Sequence, residues 1–113
     1  RRTKGNEMSK YNNFTDLQMN IIRWAEQRHI IPHSTPQAQF LKAVSEMGEL
    51  ADGIAKQNRE LVIDSVGDVL VCLINMCALL DLDVTECLGH AWDEIKDRKG
   101  YMNAAGVFIK VQA

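Results

Sequence analysis

The chain has 113 residues, a quarter of them charged, and a formal net charge of −2. That is enough for one domain with a real hydrophobic core and no need of disulfide staples. There is no basic excess to suit nucleic acid, and no acidic tail of the kind that stays solvated and unfolded.

Arg1 to Glu7 differ in character from the rest of the chain, and Met8-Ser9-Lys10 reads as a natural start. Residues 1–10 are therefore taken as a disordered leader or cloning remnant, and 11–113 as a single helical domain. No apolar h-region follows the basic start, and the longest apolar run, Val69 to Leu80, is interrupted by Asn75 and short of a bilayer span. Cys72, Cys77 and Cys87 form no C-x-x-C pair and lie in apolar stretches, as reduced, buried thiols do. Together these point to a cytoplasmic protein without a membrane partner.

The first helix is expected from Thr15, with Gln18 as its capping-box partner, to about His29. Leu17, Ile21, Ile22, Trp24 and Ala25 form its apolar side. Ile30 to Thr35 reads as a linker. The second helix follows Ser34 or Thr35 as N-cap, with Pro36 at its first position, and its apolar stripe runs from Phe40 to Ile54. It should stop near Gln57-Asn58. The third helix, about Arg59 to Leu80, is apolar nearly all round in its second half, which suggests a central position or a subunit interface. A fourth begins at Asp83, with Val84, Cys87, Leu88, Ala91, Trp92 and Ile95 inward and Gly100 as its stop. Gly106 to Val111 forms a short extended tail. The fold expected is all-α, an antiparallel four-helix bundle assembled as a homodimer or homotetramer.

Two acidic motifs interrupt the apolar pattern. Glu46-Met47-Gly48-Glu49 lies on the second helix and Asp64-Ser65-Val66-Gly67-Asp68 on the third. Residues three or four apart share a helix face, so each motif makes a carboxylate pair. Packed antiparallel, the helices would gather four carboxylates beside a buried run, an arrangement costly without a counter-charge. Hard oxygen donors in that number suit Mg²⁺, with Mn²⁺ as the alternative. The duller reading is an ordinary solvated face. Lys42 lies one turn before Glu46, on the same face. Lys96, Arg98 and Lys99 cluster at the end of the fourth helix, to complement its dipole or to meet phosphate. Trp24 is a core residue or a surface for base stacking, and Asn75 reads a base edge or satisfies helix backbone.

The run Phe40 to Ala51, followed by Asp64 to Leu70, resembles the MazG-like branch of the all-α nucleoside triphosphate pyrophosphohydrolases. Ile95 to Gly100, with Asn103 and Gly106 to Lys110, also resembles small bacterial and phage members. That family carries E-x-x-E on one helix and E-x-x-D on the next, together binding Mg²⁺. Glu46 and Glu49 match the first element and Asp68 the end of the second. The second Glu would fall at Ser65, for which Asp64 is the substitute, and Ser45 replaces the first Glu of the common E-E-x-x-E variant.

The resemblance implies cleavage of a nucleoside triphosphate between its α and β phosphates, giving monophosphate and pyrophosphate. Glu46, Glu49, Asp64 and Asp68 would hold metal, and Glu49 would be the general base. Lys42, Lys96, Arg98, Lys99 and Trp24 would contact substrate. A phosphoribosyl-ATP-type compound is the runner-up substrate. A di-iron centre would need a second E-x-x-H beside Glu26 to His29, and none is present. The other class of function is a non-catalytic regulatory oligomer that binds nucleotide or metal, which the missing Glu at Ser65 would favour.

Overall fold

The computed structural model describes residues 13–111, so the expected leader lies outside the described residues. The elements in order are α1 (Phe14–Gln27), α2 (Ile30–His33), α3 (Pro36–Ala55), α4 (Arg59–Leu79), α5 (Val84–Ile95), β1 (Gly100–Met102) and β2 (Phe108–Lys110). They form two compact units, one up to Asp83 and one from Val84 onward. The architecture is mostly helical, as the periodicity implies.

The cap of α1 differs from expectation. Asn13, not Thr15, closes the first turn, its Oδ1 accepting from the backbone N–H of Asp16 at 2.9 Å. Gln18 is buried, and its Nε2 donates to Asp83 Oδ1 at 3.0 Å, tying the first half of α1 to the chain just beyond α4. The linker holds one helical turn, α2, entered through His29 in the left-handed region.

α3 starts as read from sequence. Thr35 Oγ1 accepts from Ala38 N–H at 3.1 Å, and Pro36 takes the first turn, where a missing N–H costs nothing. The helix ends at Ala55. Gln57, at φ 54°, reverses the chain, and Asn58 caps α4 through Leu61 N–H at 3.1 Å. A three-residue connection makes α3 and α4 an antiparallel hairpin, the most closely packed pair in the protein. Gly53 permits that closeness, since a Cβ there would lie 3.1 Å from Val62 Cγ2 and 3.2 Å from its backbone nitrogen.

α4 buries Ser65, Cys72, Ile74, Asn75 and Cys77. Its full 21 residues are long and apolar enough to cross a membrane by length and composition, which the shorter run Val69 to Leu80 does not suggest. Asp64 and Asp68 within it, and α3 and α1 against it, make it the central helix of the first unit instead.

In the second unit α5 ends at Ile95 and none of its residues is buried. The expected inner face and a buried Cys87 are thus not found, and Cys87 is exposed. A unit of this size cannot bury a whole helix face by itself. Gly100 is not the helix stop but the first residue of β1. There a Cβ would collide with the Ile109 carbonyl and the Phe108 ring. The extended tail is one strand of an antiparallel hairpin pairing Gly100 with Lys110, Tyr101 with Ile109 and Met102 with Phe108. Asn103 Oδ1 accepts from the N–H groups of Ala105 and Val107, both at 2.9 Å, and Gly106 at φ 83° completes the turn.

Candidate active site

A cavity of about 440 Å³ opens between α1 and α4. Its α1 wall is Phe14, Leu17, Gln18 and Ile21, and its α4 wall includes Asp64, Gly67 and Asp68. A second recess of about 350 Å³ adjoins it around Asn20, Trp24 and Val71, sharing Leu17, Ile21 and Asp68. Asp64 and Asp68 stand one turn apart on α4 and so face the same space. Gly67 meets nothing within 4 Å where a Cβ would stand, which leaves the wall between the carboxylates open. An apolar slot with a few polar groups at one end is the usual form of a small-molecule site.

Cys72 links this wall to α3. Burial pushes its thiol pKa up; Lys42 opposes the shift, while Glu46 and Asp68 add to it. Both carboxylates therefore lie within electrostatic reach of one sulfur, Asp68 from the same helix and Glu46 from α3. Glu46 is largely covered, and Lys42 Nζ approaches its Oε2 at 3.8 Å, the i,i+4 pair expected from sequence. The structure pairs Glu46 with Lys42 on α3 and sets Asp64 and Asp68 on one cavity wall of α4, with Glu46, Lys42 and Asp68 all acting on Cys72. Glu49 lies one turn beyond Glu46, exposed, and lines neither recess.

The four carboxylates do not stand as a finished cage. Among the described residues, no three His, Cys, Asp or Glu side chains are grouped closely enough to hold a metal ion. Their chemistry nonetheless suits a hard divalent cation, which keeps several waters and shares substrate oxygens rather than requiring an all-protein shell. Ser65 is buried, at 1% exposure, and does not line the cavity.

Trp24 is not a core residue. It is 43% exposed, lines the smaller recess, and carries the Arg28 guanidinium over its ring at 5.0 Å. Lys96, Arg98 and Lys99 belong to the second unit and follow the end of α5 rather than forming its last turn. Lys96 Nζ donates to Asp93 Oδ1 at 3.2 Å. Gln18 and Asn20 were not expected at the site. For Gln18 a signal existed: it occupies an apolar position in the series Gln18, Ile21, Ala25, where an amide has to be buried and paired. Asn75 Oδ1 is buried with no hydrogen-bond partner among the described residues.

Residues 34–102, more than half of the chain and including both acidic motifs, match the MazG nucleotide pyrophosphohydrolase domain. The chain belongs to this family. A relative in Haemophilus phage HP1, an uncharacterized 18.2 kDa protein of the rep-hol intergenic region, is 45% identical over 62 residues. That match covers 52% of this chain but 38% of the phage protein, so the MazG chain spans well under half of its relative's length. Among solved structures, the cyanophage S-2L MazG-like pyrophosphohydrolase, bound to dGDP and three catalytic Mn²⁺ ions per active site, superposes with a TM-score of 0.64. It is 25% identical and covers 90% of this chain and 100% of its own. The mostly helical MazG-like fold is therefore that of this protein, and its short C-terminal hairpin is compatible with it.

Proposed function

We propose that this MazG domain hydrolyses nucleoside or deoxynucleoside triphosphates between the α and β phosphates, releasing a monophosphate and pyrophosphate. The observation that carries the proposal is that Asp64 and Asp68 line one apolar slot of nucleotide size, while Asp68 and, from α3, Glu46 and Lys42 all act on Cys72. The binding of dGDP and Mn²⁺ by the cyanophage neighbour supports a nucleotide substrate and a divalent cation, here Mg²⁺ or Mn²⁺.

In this reading Glu46, Glu49, Asp64 and Asp68 hold the metal. When bound, the cation neutralises the triphosphate and makes a coordinated water more acidic. The remaining steps fall to the chain. The α1 wall shields the base and sugar from water, and Trp24 offers a ring face for stacking. Lys42 draws the phosphates toward α3. Glu49, solvated and one turn from Glu46, holds the proton taken from the attacking water at its carboxylate. The working protein is a cytoplasmic homodimer or homotetramer in which the helices complete a four-helix bundle.

The test is incubation of purified protein with Mg²⁺ or Mn²⁺ and a panel of NTPs and dNTPs, with products resolved by ion exchange. Monophosphate plus pyrophosphate, lost with EDTA, is the expected result. Diphosphate plus phosphate would place the wrong bond over the site. Nucleotide binding with no turnover anywhere in the panel would favour the regulatory alternative.

A further inference from the structure

Glu46 keeps only 14% of its side chain exposed, whereas Lys42, one turn earlier on the same face of α3, keeps 64% of its own in water. A carboxylate covered to that degree is costly to ionise without a partner. Its partner here is a loose one. Lys42 Nζ stands 3.8 Å from Glu46 Oε2, well beyond the roughly 2.7–2.9 Å of a charge-assisted hydrogen bond. Lys42 therefore neutralises Glu46 through space, in one of the weaker forms of ion pair. Its charge also reaches α4, since it opposes Glu46 and Asp68 at the Cys72 thiol.

The two partners differ in what they can do when a stronger cation arrives. Glu46 has a short stem under cover and stays where it is. Lys42 ends a flexible stem with rotatable donors and is already mostly in water, so it is the group that leaves. On the pyrophosphohydrolase reading, on which this inference rests, the nucleotide gives the departing ammonium a destination. Phosphate oxygens are acceptors that a lysine binds as a point charge.

We propose that Lys42 is the counter-ion of Glu46 in the substrate-free protein, and that it releases Glu46 to a divalent cation only as a nucleotide's phosphates take up the ammonium. Cation and nucleotide then bind as a coupled pair, each raising the affinity for the other by the same factor. The free protein holds the cation weakly, because Lys42 competes for the same carboxylate. The cation is thus brought in with the polyphosphate and is not a resident group.

The test follows Mn²⁺ binding to the full chain, through the EPR signal of free Mn²⁺, with and without dGDP, the nucleotide bound by the cyanophage neighbour. Without nucleotide, Lys42→Met should bind Mn²⁺ about 5-fold or more tightly than the unsubstituted protein, and the tightening produced by dGDP should shrink by a similar factor. A damaged fold does not produce a gain of affinity, so the readout separates competition from stability. Lys42→Arg keeps the charge and should keep the weak nucleotide-free binding. Lys56→Met removes the same charge just past the other end of α3, about 15 Å along the helix from Glu46, and should change neither quantity. Equal Mn²⁺ affinity in Lys42→Met and the unsubstituted protein overturns the inference and leaves the proposed reaction standing. So does an equal gain in Lys56→Met, which would make the effect one of net charge, or Mn²⁺ binding that dGDP leaves unchanged. No Mn²⁺ binding in any variant, with or without dGDP, overturns the reading of the site itself.

Discussion

Asp68 holds the most connected position of any candidate residue. It lines both recesses, lies one turn from Asp64, and shares the environment of Cys72 with Glu46. Asp68→Ala is expected to lower turnover by on the order of 100-fold or more with unchanged helicity, and Glu49→Ala to do the same through loss of the base. Full activity in either variant, measured as pyrophosphate release, would sink that residue's assignment. Cys72 gives a separate test. An unfolded thiol ionises near 9.0, and burial holds the folded one above that value. The unfolded chain therefore loses its proton first. The stability from the neutral thiol is complete below pH 9 and is lost as pH rises through the raised value. Urea unfolding of metal-free protein between pH 8 and 11 should show a decline that is shallower in Cys72→Ala.

Glycines separate packing from function among the helices. Gly53 touches Val62 and Leu61 across the hairpin, so Gly53→Ala overpacks the crossing and should cost about 1–3 kcal/mol in chemical denaturation. Gly67 has open space where a Cβ would stand and lines the nucleotide-sized cavity. Gly67→Ala should stabilise α4 by up to about 1 kcal/mol, yet raise KM because the new methyl enters the cavity. A change in stability with no change in KM would remove that cavity from the substrate path. The helix starts were legible where the cap is a local matter, as at Thr35 and Asn58. At α1 the competing Asn13 prevailed, its side chain accepting from Asp16 N–H, while Gln18 is buried and reaches Asp83.

At the level of the molecule, a ligand that binds only the folded state stabilises it by mass action, by about 2.7 kcal/mol at a hundred times its Kd. Mn²⁺ with a nucleoside diphosphate should therefore raise the melting temperature, and EDTA should reverse the rise. Identical melting curves would remove the metal from the site. The helical class, the acidic pairs and their placement on adjacent helices were determined by sequence alone. Period, cap and spacing are local properties, and a helix displays residues three and four apart on one face in any surroundings. Which face meets which neighbour was decided only by tertiary structure. Gln18 and Trp24 joined the site through α1 crossing α4, Ser65 was buried away from the cavity, and Cys87 was left exposed. The apolar stripe of α3 reads in sequence as core, yet Phe40, Val44, Met47 and Ile54 are exposed, while Ala43 and Gly53 are buried. Burial depends on what the rest of the chain brings to each surface, and periodicity carries no record of that.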